Sequence, residues 1–216
     1  MKLEQTDKEG LKKGIRSNEI SYSVRDDRSR FFYPNEWISF INQVRNKNKL
    51  IYETLLQTGA RISEALALKP LDFDWDRNNV TLRVTKLKAR KNERVGKART
   101  LNVSSQFMRK VRKYISDNYV NDSELLFNVH KVSVYLTMRN NLKKAGIKDW
   151  WNFGLHNIRK TTGNWLKALG VPAEEICLRL GHDYNTYLKH YGSPNLFDRK
   201  DKIQIVKILG DVYDVK

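Results

Sequence analysis

The chain is poor in cysteine, in acid and in long apolar runs. Cys177 is alone among 216 residues, which excludes an internal disulfide and makes a reducing, intracellular setting the simplest reading. Cys177 falls between Ile176 and Leu178 on a predicted helix, where a buried structural thiol is the expected role. No apolar run is long enough to span a membrane. The start, Met1-Lys2-Leu3-Glu4-Gln5, lacks the hydrophobic core of a secretory signal. There is no internal repeat and no low-complexity tract. Acid is scarce relative to base: 24 Asp+Glu stand against 41 Lys+Arg, a net charge of +17. An excess of that size favours a polyanionic partner, nucleic acid first and an anionic membrane surface a distant second.

With 40% hydrophobic and 30% charged residues the chain reads as globular and soluble, and its length fits one domain, or one domain plus an arm, with a core that needs no staples. Residues 1–30 are polar, with the mixed-charge run Arg25-Asp26-Asp27-Arg28-Ser29-Arg30, and read as a flexible basic arm or linker. Order is expected from Phe31. Trp37, Phe40, Ile41 and Val44 mark a first helix, Leu50 to Gln57 a second ending near Gly59, and Ala60 to Leu68 a third closed before Pro70. On the third, Arg61 and Glu64 are three apart and share a face. After a turn at Asn78-Asn79, Val80, Leu82 and Val84 alternate with polar residues as a half-buried strand. A second strand runs through Thr100, Leu101, Asn102, Val103 and Ser104. The connection carries Lys86, Lys88, Arg90, Lys91, Arg94 and Lys97, a long cationic loop in a hairpin. Phe107 to Ile115 and Tyr135 to Leu142 mark two more helices. Trp150 to Gly154 is an aromatic loop better explained by core packing than by base stacking. Ile203 to Leu209 is a short apolar segment after the break at Ser193-Pro194. It is too short to stand alone, so it must dock on something, either its own domain or a neighbouring protomer, with docking in trans when DNA is synapsed the expectation taken forward.

The densest chemistry lies at residues 155–191. Ile158, Thr162, Trp165, Leu166 and Leu169 give helical periodicity, with Gly170 as the stop. Pro172 suits the first turn of a second helix that Gly181 would end. His156 and Arg159 share a face of the first helix, His182 follows the second, and Tyr191 comes nine residues after His182. An arginine, two histidines and a phenol converging on one place suit attack on a phosphodiester. No carboxylate or cysteine falls at ligand spacing with the histidines, so no metal is expected.

Taken in order, these pieces resemble the catalytic domain of the tyrosine recombinases, the phage integrase family. Thr58-Gly59-Ala60-Arg61-Ile62-Ser63-Glu64-Ala65-Leu66 is similar to its first-arginine box, His156-Asn157-Ile158-Arg159 to its H-x-x-R box, and Leu180-Gly181-His182 with Tyr191 to its L-G-H box and nucleophile. The hairpin resembles the one carrying the family's lysine. The likeness covers residues 31–195, leaving 196–216 as a C-terminal tail. Most members carry a separate N-terminal DNA-binding domain; here residues 1–30 precede the match. The resemblance implies a mainly α fold with a small antiparallel β-hairpin or sheet. It implies strand cleavage and rejoining through a 3′-phosphotyrosyl bond, no cofactor, double-stranded DNA as partner and a homotetramer on synapsed DNA. Arg61 and Arg159 would grip the phosphate, His156 would accept the Tyr191 proton and His182 would hydrogen-bond the phosphate. Lys86, with Lys88 as the alternative, would protonate the leaving 5′-oxygen, and Glu64 would orient Arg61 or His156. Tyr184 and Tyr187 compete with Tyr191 by position alone. Lys88, Arg90, Lys91, Arg94 and Lys160 are expected DNA contacts, Lys160 standing where the family often has a second histidine. A type IB topoisomerase-like relaxing enzyme and a non-catalytic DNA-binding protein are the competing functions.

Overall fold

The computed structural model describes residues 11–15, 21–25, 30–83, 98–191 and 197–213. Helices dominate, beside a small antiparallel sheet. Within the expected arm, β1 (Leu11–Ile15) pairs antiparallel with β2 (Ser21–Arg25), so this segment contains a hairpin that composition did not announce. Arg30 is not part of a solvated charge run. It is fully buried, with Nε donating to Asp149 Oδ2 at 2.9 Å and Nη2 to Glu36 Oε1 at 2.5 Å. The Glu36 carboxylate also accepts the Tyr33 amide at 2.9 Å, which starts α1 (Pro34–Gln43) with proline in its first turn.

Residues 30–33 lie along α6 (Leu155–Ala168). Asn157 Nδ2 donates to the Arg30 carbonyl, the Phe32 amide to Thr161 Oγ1 at 2.9 Å, and Trp165 Nε1 to the Phe32 carbonyl at 2.9 Å. These three residues are four apart, so one stripe of α6 is hydrogen-bonded along its length. A second stripe faces α2 (Asn46–Thr58), where Thr162 Oγ1 donates to the Leu56 carbonyl at 2.8 Å. α2 ends at Gly59 with φ of 61°, a left-handed cap that favours glycine. A Cβ there would also strike the Leu180 side chain.

α3 is only Ile62–Leu66, shorter than its apolar pattern suggested. The sheet follows, β3 (Phe73–Asp74), β4 (Asn79–Leu82) and β5 (Arg99–Asn102), in the order β3-β4-β5 with Val80 opposite Leu101 and Leu82 opposite Arg99. Val80, Leu82 and Leu101 point into the core; Thr81 and Thr100 hydrogen-bond on the outer face at 2.9 Å. Val84 and the loop cations Lys86, Lys88, Arg90, Lys91, Arg94 and Lys97 lie outside the described residues, as do Ser193 and Pro194. α4 (Ser105–Asn118) is capped by Ser104 Oγ, which accepts the Phe107 amide at 3.1 Å, and α5 (Lys131–Lys144) completes this half. A 3₁₀ turn at Trp150–Asn152 leads into α6, with Phe153 buried and Trp151 exposed, so only part of the aromatic loop packs in the core.

α7 (Ala173–Leu180) starts at Pro172 and stops at Gly181, with φ of 61°. Cys177 is buried, as expected. α8 (Tyr184–Tyr191) is a helix the periodicity did not reveal, and Tyr191 is its last residue. α9 (Arg199–Leu209) packs within its own chain: Ile205 and Leu209 are buried, α1 and α6 lie against it, and Gln57 Nε2 donates to the Leu209 carbonyl at 2.9 Å. Of the apolar residues that seek a partner in the sequence, Ile205 and Leu209 find one in cis, while Ile203 stays exposed. Among the described residues no helix is long and apolar enough to cross a membrane.

Candidate active site

Arg159 is the centre of the site. It sits one turn into α6 and its side chain is 1% exposed. Nη1 donates to the Gly59 carbonyl at 2.6 Å and Nη2 to the Leu180 carbonyl, while Nη2 lies 3.3 Å from His182 Nε2. One guanidinium thus ties the ends of α2 and α7 to α6, using carbonyls that helix termini leave without intrahelical partners. Its Nε is buried with no hydrogen-bond partner among the described residues. Burial first, then the Arg61 charge, holds the group below the usual guanidinium value, at about 10, so it stays cationic at neutral pH.

Arg61 stands at the N-cap of α3, with 40% of its side chain exposed. Glu64 reaches back to it: Oε2 accepts the Arg61 amide at 2.8 Å and Oε1 accepts Nη1 at 2.9 Å. Glu64 was expected to orient Arg61 or His156; it holds Arg61, and the same carboxylate is shared with Arg99. Burial pushes the Glu64 carboxyl up, but hydrogen bonds from Arg99 and the Arg61 amide outweigh it and leave the group at about 2.

His156 and His182 flank Arg159. Burial, then Arg159, Lys160, His190 and Arg61, presses the His156 imidazole down to about 4. Burial, then Arg159, Arg61, His190 and His156, presses His182 to about 3. Both rings are therefore neutral at neutral pH and able to accept a hydrogen bond or a proton. His156 lies on the first turn of α6; the protein crowds its ring enough to disfavour the charged form, yet part of the residue reaches solvent, so an anion could bind there and cancel much of the surrounding positive field.

Tyr191 is 1% exposed. Its ring lies against Gly163, where a Cβ would come within 2.5 Å of Cε1. The ring centroid is 6.0 Å from His182 and 5.6 Å from Tyr187, and Lys167 Nζ donates to the Tyr191 carbonyl at 2.5 Å. Burial raises the Tyr191 phenol to about 12 while Arg159 opposes that rise. Tyr187 is also raised, by burial and by Cys177, with no guanidinium acting on it. Tyr184 is exposed on the first turn of α8.

The structure therefore brings Arg61, Glu64, His156, Arg159, His182 and Tyr191 together. Lys86, Lys88, Arg90, Lys91 and Arg94 lie outside the described residues. Lys160, expected at the DNA surface, is buried at 6% exposure, because α6 turns that position into the interior. Four contributors were missed. His190 sits beside Tyr191 with its ring 6.5 Å from His182. Lys167 and Gly163 seat Tyr191. Arg99 binds Glu64, and its signal was available: it lies two residues before Leu101 and shares its strand face.

The family model described as the phage integrase family matches residues 30–195. Among curated proteins, the chain is 29% identical over 138 residues to tyrosine recombinase XerA of Saccharolobus solfataricus, covering 64% of this chain and 43% of that protein. It is 28% identical over 209 residues to tyrosine recombinase XerH of Campylobacter jejuni, covering 92% of this chain and 55% of that protein. The chain spans about half the length of the curated relatives it matches. Among solved structures, the Tn1549 transposon integrase in complex with transposon right end DNA superposes with a TM-score of 0.64 at 17% identity, covering 82% of this chain and 64% of that one. A XerA recombinase crystal structure also gives 0.64, at 18% identity, with the same coverage. These likenesses establish the mainly α fold with its small antiparallel sheet. With a match across residues 30–195 of 216, the chain belongs to the phage integrase family.

Proposed function

We propose that this chain is the strand-cleaving unit of a tyrosine-type site-specific recombinase. It acts on double-stranded DNA and works as a homotetramer on synapsed sites. The observation that supports this most is the pairing of one buried phenol with one buried guanidinium: Tyr191 is the tyrosine whose ionisation Arg159 favours, and His182 touches that same guanidinium.

The chemistry runs as follows. Arg61 and Arg159 bind the non-bridging oxygens of the scissile phosphate, where charge accumulates as phosphorus becomes five-coordinate. His182 adds a hydrogen bond to the same phosphate. The Tyr191 oxygen forms a bond to phosphorus as its proton passes to neutral His156. The bond from phosphorus to the 5′-oxygen breaks, and that oxygen takes a proton from Lys86, or from Lys88. The product is a 3′-phosphotyrosyl link and a free 5′-hydroxyl. Attack by another strand's 5′-hydroxyl reverses every step, so bond energy is conserved without a nucleotide cofactor. Tyr191 is buried in the free chain, so engaging DNA must move α8 or the Tyr191 ring before the oxygen meets phosphorus.

The test is a nicked suicide duplex cut from the ends of the element that encodes the chain. A covalent protein–DNA adduct with a free 5′-hydroxyl is expected, and recombinant product from paired sites. Relaxation of supercoils without recombinants favours a topoisomerase-like enzyme; DNA binding with no adduct overturns the catalytic reading.

A further inference from the structure

Arg99 is an arginine on the inward face of a strand, and it touches two parts of the site at once. Its Nη2 donates to Glu64 Oε2 at 2.8 Å and its Nη1 to Glu64 Oε1 at 3.3 Å. Its Nε donates to the Arg179 carbonyl at 2.8 Å, the residue before the last of α7. Gly181 follows on the same guanidinium: a Cβ there would lie 3.4 Å from Arg99 Nη1. Arg179 in turn is buried and its Nη2 donates to the Gln57 and Asn102 carbonyls, at 2.6 and 2.8 Å, which locks α7 to α2 and to β5. Arg99 therefore links the carboxylate that holds Arg61 to the turn that carries His182.

The charges give this link a purpose. If Glu64 faced Arg61 alone, the pair would be neutral and Arg61 would have little field left for a phosphate. Arg99 makes the group a cation–anion–cation triplet with net positive charge. Arg61, the exposed end of the triplet, then keeps part of its charge for an incoming anion while its geometry stays fixed by Glu64. Among the described residues, Arg159 on α6 also interacts electrostatically with this carboxylate.

We propose that Arg99 is a positioning residue for strand cleavage: it shares the Glu64 carboxylate so that Arg61 remains an effective phosphate-binding cation, and it fixes that pair relative to the turn presenting His182. This rests on the strand-cleavage reading above. Arg99 need not touch DNA for it to hold.

The test uses the full chain with the nicked suicide duplex, reading single-turnover adduct formation, duplex affinity and the pH profile. Arg99→Met is expected to slow adduct formation by about 10²-fold, comparable to the loss of one preorganised oxyanion donor, with DNA affinity nearly unchanged. The acid limb of its rate profile is expected to begin at higher pH than in the unaltered protein, because Glu64 loses two donated hydrogen bonds and is protonated more easily. Arg99→Lys, which keeps the charge and packs more conservatively, is expected to recover part of the rate. In a Glu64→Gln background, Arg99→Met should cost much less than it does alone, since both changes break one network. Full additivity of the two changes, or an Arg99→Met protein that is folded, unaltered in rate and unaltered in pH profile, overturns the proposal while leaving the strand-cleavage reading intact. Absence of any adduct with the unaltered protein overturns that reading first, and this one with it.

Discussion

Arg61 and Arg159 carry the same charge, yet the fold holds them in opposite ways. Arg159 is buried, and both of its Nη atoms bind backbone carbonyls at the ends of two different helices. Arg61 is 40% exposed and is held by a carboxylate three residues away, which is itself shared with Arg99. Arg159 is thus part of the architecture as well as a charge; Arg61 is a charge presented by a short local support. The difference predicts that stability and reactivity separate at one arginine and not at the other.

The largest effect is expected at Arg159. Arg159→Met orphans two buried carbonyls, each at a cost of about 1–3 kcal/mol, and removes the cation beside Tyr191. Urea unfolding should show the stability loss, and adduct formation should vanish. Arg159→Lys should rescue neither fully, since an ammonium lacks the planar fork that spans the two carbonyls. Next in size is Gly163→Ala. The added Cβ overlaps the Tyr191 ring, and overpacking of this kind costs about 1–3 kcal/mol. The Tyr191 ring should become reactive to nitration in the free protein, a change peptide mapping would detect. Arg61→Met is expected to behave oppositely to Arg159→Met. It should alter stability by about 1 kcal/mol or less, as for other partly exposed ion pairs, while lowering the adduct rate by about 10²-fold or more. Equal stability losses at Arg61 and Arg159 would break the comparison.

The smallest effect is in the acid stability of the free protein. His156 and His182 sit at about 4 and about 3 when folded, against an ordinary 6.5. The unfolded chain therefore binds protons that the folded chain refuses, and stability should fall as pH drops from 6.5 toward those values. His182→Asn should flatten this slope in urea midpoints measured across the window. An unchanged slope would mean that neither burial nor the cations around His182 lower it in the folded state.

These two arginines also show where the sequence was legible. The spacing of His156, Arg159, His182 and Tyr191 could be read directly, because short-range boxes on helices and their caps are local features, whereas Arg61 beside Glu64 looks like an ordinary surface ion pair and entered only through the family resemblance. The helices α1, α2 and α4 to α7 were equally readable from apolar periodicity and from Gly59, Gly170 and Gly181. α8 was not, because among its described side chains only Tyr187 and Tyr191 are buried, and its cap is an Asp183 carboxylate accepting the Thr186 amide at 2.7 Å. Arg30 was misread as solvated because its partner Asp149 lies 119 residues away. Arg99 was passed over as one more cation after a basic loop, although alternation with Leu101 placed it on the buried face. The burial of Lys160 and the cis packing of α9 depend on which elements meet, which no local pattern records.

Everything proposed for the site turns on Tyr191, under the field of Arg159, becoming covalently joined to DNA. The most direct measurement is peptide mapping of the adduct trapped on a nicked suicide duplex, for the unaltered protein and for Tyr191→Phe and Tyr187→Phe. The expected result is a nucleotide-modified peptide ending α8 at Tyr191, no adduct from Tyr191→Phe, and an adduct from Tyr187→Phe. A modified Tyr187, or an adduct that survives Tyr191→Phe, would contradict it.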